Sequence, residues 1–473
     1  MTSISPVSLQ RRFQFMLVAV LAVFLTACGG DPEESESYIN YMGQDTSIEG
    51  KAGVLLTSMG LPETYEFGFF DRYLHHIFDV AFPWYAKWII MRDSGIVLRD
   101  PQSLFASEEF KPTTLVDCYG KSSNAQGTPY TELAVEWKPP RQEGGAGHFL
   151  LPQKNGHVDI IEKVAVKMVA LDYAKMPGKV MPTRKQQLAI DKEVARLLAQ
   201  EFPGIPFETA FSFYPNSIEA AVSKLLAAGV ETIVVTDVFP AYSSLEQLDS
   251  LFVLIAETVN DRAKLVFTPN IGAFPSFRKA YTQLARDEVA ALPESSRNLI
   301  ILTRHGMPEM KGEAYPLFAP VHAQGMTRDM TEALKGTDSK IVVADTDFAE
   351  DDDDPDNLRL AATEAIAMGI SEGYDHIIMV LVDFLTENTD SIFASRYESL
   401  GEYGFAYEGE VPYTEQDRPY RTTMTQGKTT IIVAGTPVGE PYRNHLAQGI
   451  FDAMATVLRE QEWPQVTNSL TSQ

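Results

Sequence analysis

Cysteine is almost missing from this sequence: the chain has two, Cys28 and Cys118. That excludes a disulfide framework and a Cys-rich zinc site. Positive charge is short as well, with 39 Lys and Arg against 64 Asp and Glu and a formal charge of −25. A surface of that sign repels phosphates and anionic head groups, which argues against a nucleic-acid partner. There is no phosphate-binding P-loop and no Gly-x-Ser-x-Gly nucleophile elbow. His148, His157, His322, His376 and His445 show no metal-ligand spacing with one another. The acid run over residues 345–356 lacks the glycine and terminal glutamate of an EF-hand loop and reads as a solvated loop.

What is present begins with a targeting segment over residues 1–27. Arg11 and Arg12 form its positive end, and residues 13–24 are apolar apart from Gln14. That run is too short for a comfortable membrane span and has the flanks of a signal peptide. Leu25-Thr26-Ala27-Cys28 matches the bacterial lipobox, so cleavage before Cys28 and its lipidation are expected; the alternative is an uncleaved anchor. Cleavage removes two positive charges and no negative one, leaving −27. Gly29, in the place of a retention aspartate, points to the outer membrane, with the protein facing the periplasm. Residues 28–50, acidic and poorly apolar over 31–41, read as a tether.

From residue 51 the chain alternates strands and helices, with one long interruption. Residues 53–60 read as a strand ending in a glycine turn, and residues 71–88 carry apolar side chains at helical spacing. In that stretch His75 and His76 read as helix-surface or packed histidines. Residues 93–182 have Gly/Pro turns and no sustained period, as in a large insertion. Strands are expected at 207–214, 231–239, 264–268, 299–303, 340–344, 376–384 and 429–434. Helices are expected at 185–200, 217–228, 245–260, 276–291, 357–368 and 445–459. This alternation predicts an α/β protein of two doubly wound, Rossmann-like domains facing a cleft, over residues 51–295 and 296–473.

The stretch 298–308 organises the rest. Five apolar or β-branched residues, 299–303, stop on Arg304 and His305, and Gly306 and Pro308 turn the chain away. A histidine at the C-terminal end of a parallel strand belongs in the crevice where open α/β sheets bind ligands.

Four patches in order resemble ferrochelatase and its relatives, the two-domain chelatases that insert a divalent metal into a tetrapyrrole. They are residues 53–63 with Asp71-Arg72-Tyr73-Leu74; Tyr214-Pro215 and Ile218-Glu219 with Phe239-Pro240-Ala241-Tyr242-Ser243; Arg304-His305-Gly306-Met307-Pro308 with Gly312-Glu313-Ala314-Tyr315; and residues 384–390. The resemblance implies His305 as the metal-side and proton-accepting residue, with Asp390 in the place of a catalytic glutamate. It also implies Glu387 beside them at the metal, and Met59, Tyr242, Ser243 and Asn388 against the ring. No tightly bound cofactor is implied; the divalent metal, ferrous iron first, is substrate.

The departures from the pattern are specific. Asn388 stands where the family has histidine, and an amide cannot accept a proton at working pH. Asp390 is one methylene shorter than glutamate. Phe239 and Ala241 replace tyrosine and glutamine, and Ala394 interrupts a line of carboxylates that resumes at Glu398. Glu387 and Asp390 also sit where carboxylates stabilise a helix N-terminus. The other reading the sequence leaves open is a non-catalytic haem, tetrapyrrole or metal-binding lipoprotein of the same fold.

Overall fold

The computed structural model describes residues 44–64, 151–152, 158–159, 173, 176–212, 217–307, 314–346, 359–401, 403–405 and 420–460. The leader, Cys28, the expected helix at 71–88, most of the insertion and most of the acid run lie outside the described residues.

Two parallel-dominated sheets form the frame. The first holds β1 (Ala52–Ser58), β2 (Phe207–Phe211), β3 (Thr232–Asp237) and β4 (Lys264–Phe267), in the order β2-β1-β3-β4, all parallel. The second holds β5 (Arg297–Arg304), β6 (Asp338–Asp345), β7 (His376–Leu381), β8 (Thr422–Gln426) and β9 (Thr429–Val433), in the order β8-β9-β7-β5-β6. Only β8 runs antiparallel, closing a hairpin with β9. Its residues, Thr422-Thr423-Met424-Thr425-Gln426, alternate polar and apolar too weakly to predict a strand.

The continuous apolar runs have a direct cause: both faces of the sheets are covered. Leu299 and Ile301 of β5 pack to one side and Ile300 and Leu302 to the other. Among the described residues, seven helices provide the cover: α1 (Thr183–Glu201), α2 (Ser217–Ala227), α3 (Phe252–Val259), α4 (Pro275–Ala290), α5 (Tyr315–Ala333), α6 (Ala362–Ser371) and α7 (Glu440–Leu458). Helices α2 and α3 cover the outer face of the first sheet, where Ile218, Val222 and Ile255 meet Leu55 and Val235. Helix α6 covers the outer face of the second.

The inner faces share one core. Val54, Leu56 and Val234 of the first sheet join Ile300, Leu302, Ile378 and Val380 of the second through Ile190 and Val194 of α1, Phe277 and Tyr281 of α4, and Leu446 and Ile450 of α7. Burying a side chain such as Phe277 contributes about 1.5–3 kcal/mol. The closing helix thus packs back on α1 and α4 of the first half. At Gly449 a Cβ would lie 2.3 Å from Cβ of Phe277, so only glycine permits this approach. Two helical segments have π geometry, Ser244–Leu251 and Asp390–Glu398, where the sequence predicts a plain helix over 245–260 and a helix N-terminus at Glu387 and Asp390. No helix among the described residues is long and apolar enough to cross a membrane.

Candidate functional site

Parallel strands end on one edge, and the C-terminal ends of β1, β3, β5 and β7 border a common cleft. From the first half come Met59, Asp237 and Glu246; from the second come His305, Asp383, Asn388 and Asp390; Thr183 and Gln187 of α1 bridge the two. The cleft holds about 60 Å³.

His305 follows β5 directly. Its backbone N–H donates to Oδ2 of Asp383 at 3.1 Å, and its Nδ1 lies 2.6 Å from the carbonyl of Gly306. A carbonyl can only accept, so this contact places the proton on Nδ1 and makes Nε2 the basic nitrogen. Gly306 has φ +86°, the left-handed turn that leads the chain away. Phe384 lies edge-on to the imidazole, ring centroids 6.0 Å apart.

Asp383 anchors more than the histidine backbone. Its Oδ2 accepts from the Tyr315 hydroxyl at 3.0 Å, and its Oδ1 is 3.5 Å from Nε2 of the buried His322. Burial, then the charge of Asp383, holds the Tyr315 phenol well above its ordinary value. Burial draws His322 below the usual imidazole range, with Asp383 opposing. Beside them Arg304 pairs bidentately with Asp345, at 2.6 and 2.8 Å, bracing the end of β5 against β6.

On the opposite wall Asp237 closes β3, and its Oδ1 accepts from the Thr57 hydroxyl at 2.8 Å. Burial pushes its carboxyl up to about 7, the Thr57 hydrogen bond opposing and the charge of Glu246 adding.

The residues expected from sequence divide into two groups. His305, Asp390, Asn388 and Met59 line the cleft together. Glu387 does not. It is fully buried: Oε1 accepts from the Thr436 backbone N–H at 2.9 Å, while Oε2 accepts from Ser391 Oγ at 2.8 Å and faces Arg396 Nη1 at 3.5 Å. The structure makes it a frame carboxylate, with both oxygens committed away from the metal place expected for it. Tyr242 is fully buried in the core of the first half, against Phe252 and Phe318, and Ser243 caps the π segment by accepting from the Glu246 N–H at 3.0 Å. Neither reaches the ring place expected for it. Asn388 lines the cleft but also caps: its Oδ1 accepts from the Ser391 N–H at 2.8 Å, and its own N–H donates to Ser391 Oγ at 2.9 Å.

Sequence reading overlooked Asp237 and Asp383. The available signal was an acid closing an apolar strand run, Thr236-Asp237 and Val382-Asp383. Among the described residues, no group of three or more His, Cys, Asp or Glu side chains is arranged to hold a metal ion. The cleft therefore offers one imidazole and several carboxylates to a transient cation, together with groups able to take up protons.

A family model, Ferrochelatase, matches residues 151–342. The match takes in His305 and Asp237, while Asn388 and Asp390 lie beyond it. A ferrochelatase of Escherichia coli (strain SMS-3-5 / SECEC) is 27% identical over 168 residues, covering 33% of this chain and 48% of that protein. One from Enterobacter sp. (strain 638) is 28% identical over 162 residues, covering 31% and 46%. The chain thus spans about half the length of the curated relatives it matches. A solved structure, SirB from Bacillus subtilis with Fe3+, aligns over 59% of this chain and 91% of that one, with 11% identity and a TM-score of 0.38, too low to assign fold or ligand. Over residues 151–342 the chain is similar to the ferrochelatase family, as a divergent relative.

Proposed function

We propose that this protein inserts a divalent metal, ferrous iron first, into a porphyrin or related tetrapyrrole. The observation that carries the reading is His305: an imidazole fixed at a strand end, with Nδ1 on the Gly306 carbonyl and Nε2 as the basic nitrogen, in a cleft it shares with Asp390. A macrocycle supplies four nitrogens to the ion, so an inserting protein needs only one or two ligands of its own. His305 and Asp390 fill that part. At about 60 Å³ the cleft has room for an ion and its water. One observation favours a second reading, capture of the tetrapyrrole or metal without turnover: the amide of Asn388 is engaged as a cap.

His305→Ala separates a site residue from a structural one. It is expected to lower metal insertion by about 10²–10⁴-fold, the cost of losing a positioned acid–base group, with the melting temperature kept. Insertion by the variant at the wild-type rate would overturn the assignment. The reading places the protein in the bacterial envelope, lipid-anchored at Cys28 and facing the periplasm, on the strength of the lipobox residues Leu25 to Cys28. Mass spectrometry of the mature N-terminus is expected to find an acylated Cys28; an unmodified thiol there would remove the anchor from the account.

A further inference from the structure

Metal insertion releases two protons from the pyrrole nitrogens, and Asn388 can take neither. We infer that Asp237 is the second proton acceptor of the cleft, facing His305 from the opposite wall. This rests on the chelatase reading and deepens it. Asp237 ends β3 of the first sheet, His305 follows β5 of the second, and both line the one cleft. The Thr57 hydroxyl, donating to Oδ1 at 2.8 Å, fixes the carboxyl and stabilises its ionised form. The titratable groups around it are Glu246 and Tyr242 from its own half and His305, Asp383 and Asp390 across the cleft; β1 contributes the Thr57 hydroxyl and carries no titratable side chain. Burial and Glu246 keep the carboxyl near 7, where it both accepts and returns a proton at neutral pH.

The balance closes. Each N–H bond gives its electron pair to a metal–nitrogen bond. One proton passes to Nε2 of His305, giving imidazolium, and one to the Asp237 carboxylate, giving carboxylic acid. Both protons then return to water. Charge is conserved, since the dication, the neutral macrocycle, neutral imidazole and carboxylate become a neutral metallated ring, imidazolium and carboxylic acid.

The test compares the full chain, wild type, Asp237→Asn and Thr57→Val, with ferrous, cobalt and zinc ions and a free porphyrin. Asp237→Asn should lower insertion by about 10²–10⁴-fold while porphyrin affinity stays within about twofold. Thr57→Val removes a donor to the carboxylate, so the acidic limb of the pH–rate profile should move to higher pH. A shift of that kind does not arise from a merely structural role. Turnover in Asp237→Asn within about threefold of wild type overturns this inference alone. If Asp237→Asn fails to fold, an unmoved acidic limb in Thr57→Val overturns it. No turnover by wild type with any of the three ions overturns the chelatase reading and this inference together.

Discussion

Glu387 and Arg396 share a place from which water is excluded, and their pairing decides what Glu387 can do. Arg396 is fully buried, donating to the Tyr420 and Ser391 carbonyls, with Nη1 3.5 Å from Glu387. Removing one partner of a buried pair leaves the other charge uncompensated, at a cost of about 3–5 kcal/mol. Glu387→Gln is therefore expected to lower the free energy of unfolding in urea by that amount, and a loss below about 1 kcal/mol would contradict the pairing. None of this was legible in the sequence. The partners of Glu387 include Thr436, 49 residues further on, and a carboxylate beside an expected site looks alike whether it faces a cleft or a buried arginine. His305 was legible because its cues are local: an apolar run, a stop, then a glycine that turns the chain.

Helix α1 shows the same contrast at the level of an element. Its apolar spacing made the helix readable, with Ile190, Val194 and Leu198 buried in the shared core. Its buried face also carries Thr183, Gln187 and Asp191, three polar residues at i, i+4 and i+8. Thr183 Oγ1 donates to the Glu387 carbonyl at 2.6 Å, tying the helix to the cleft loop, and Gln187 donates to Asp191 at 2.7 Å. Burial raises the Asp191 carboxyl to about 7, the Gln187 hydrogen bond opposing. A carboxyl raised in the folded state favours the protonated form, so its contribution to stability is present below pH about 4 and lost as pH rises through about 7. Asp191→Asn should therefore stabilise the protein at pH 8 by up to about 4 kcal/mol, with the gain shrinking toward zero near pH 4. Thermal melts across that range check it; a gain independent of pH would contradict the burial account. The π segments escaped the sequence reading for another reason. Their apolar residues fit a plain helix as well, and the caps at Ser243 and Asn388 are tertiary in setting.

Across the whole molecule, the alternation of strands and helices announced two doubly wound halves, and the two sheets follow it. What alternation could not carry is how the halves join. They share one core, and α7, the last helix described, packs against α1 and α4 through the close approach at Gly449. Helix faces read from periodicity say that a helix is covered, not by which partner. This joining matters for function because it fixes the walls of the cleft to one common body, with Asp237 and Glu246 on one side and His305 and Asp390 on the other. An overall charge of −25 raises the local concentration of cations, which suits a metal substrate without selecting one. Turnover separates a chelatase from a binding protein, and it is measured as metalloporphyrin formed per chain by the full protein, supplied with excess ferrous iron and free porphyrin under reducing conditions. A chelatase is expected to form many product molecules per chain, at a rate that depends on His305. A plateau at one porphyrin per chain, with its absorption shifted by binding and no metal inserted, would contradict the chelatase reading.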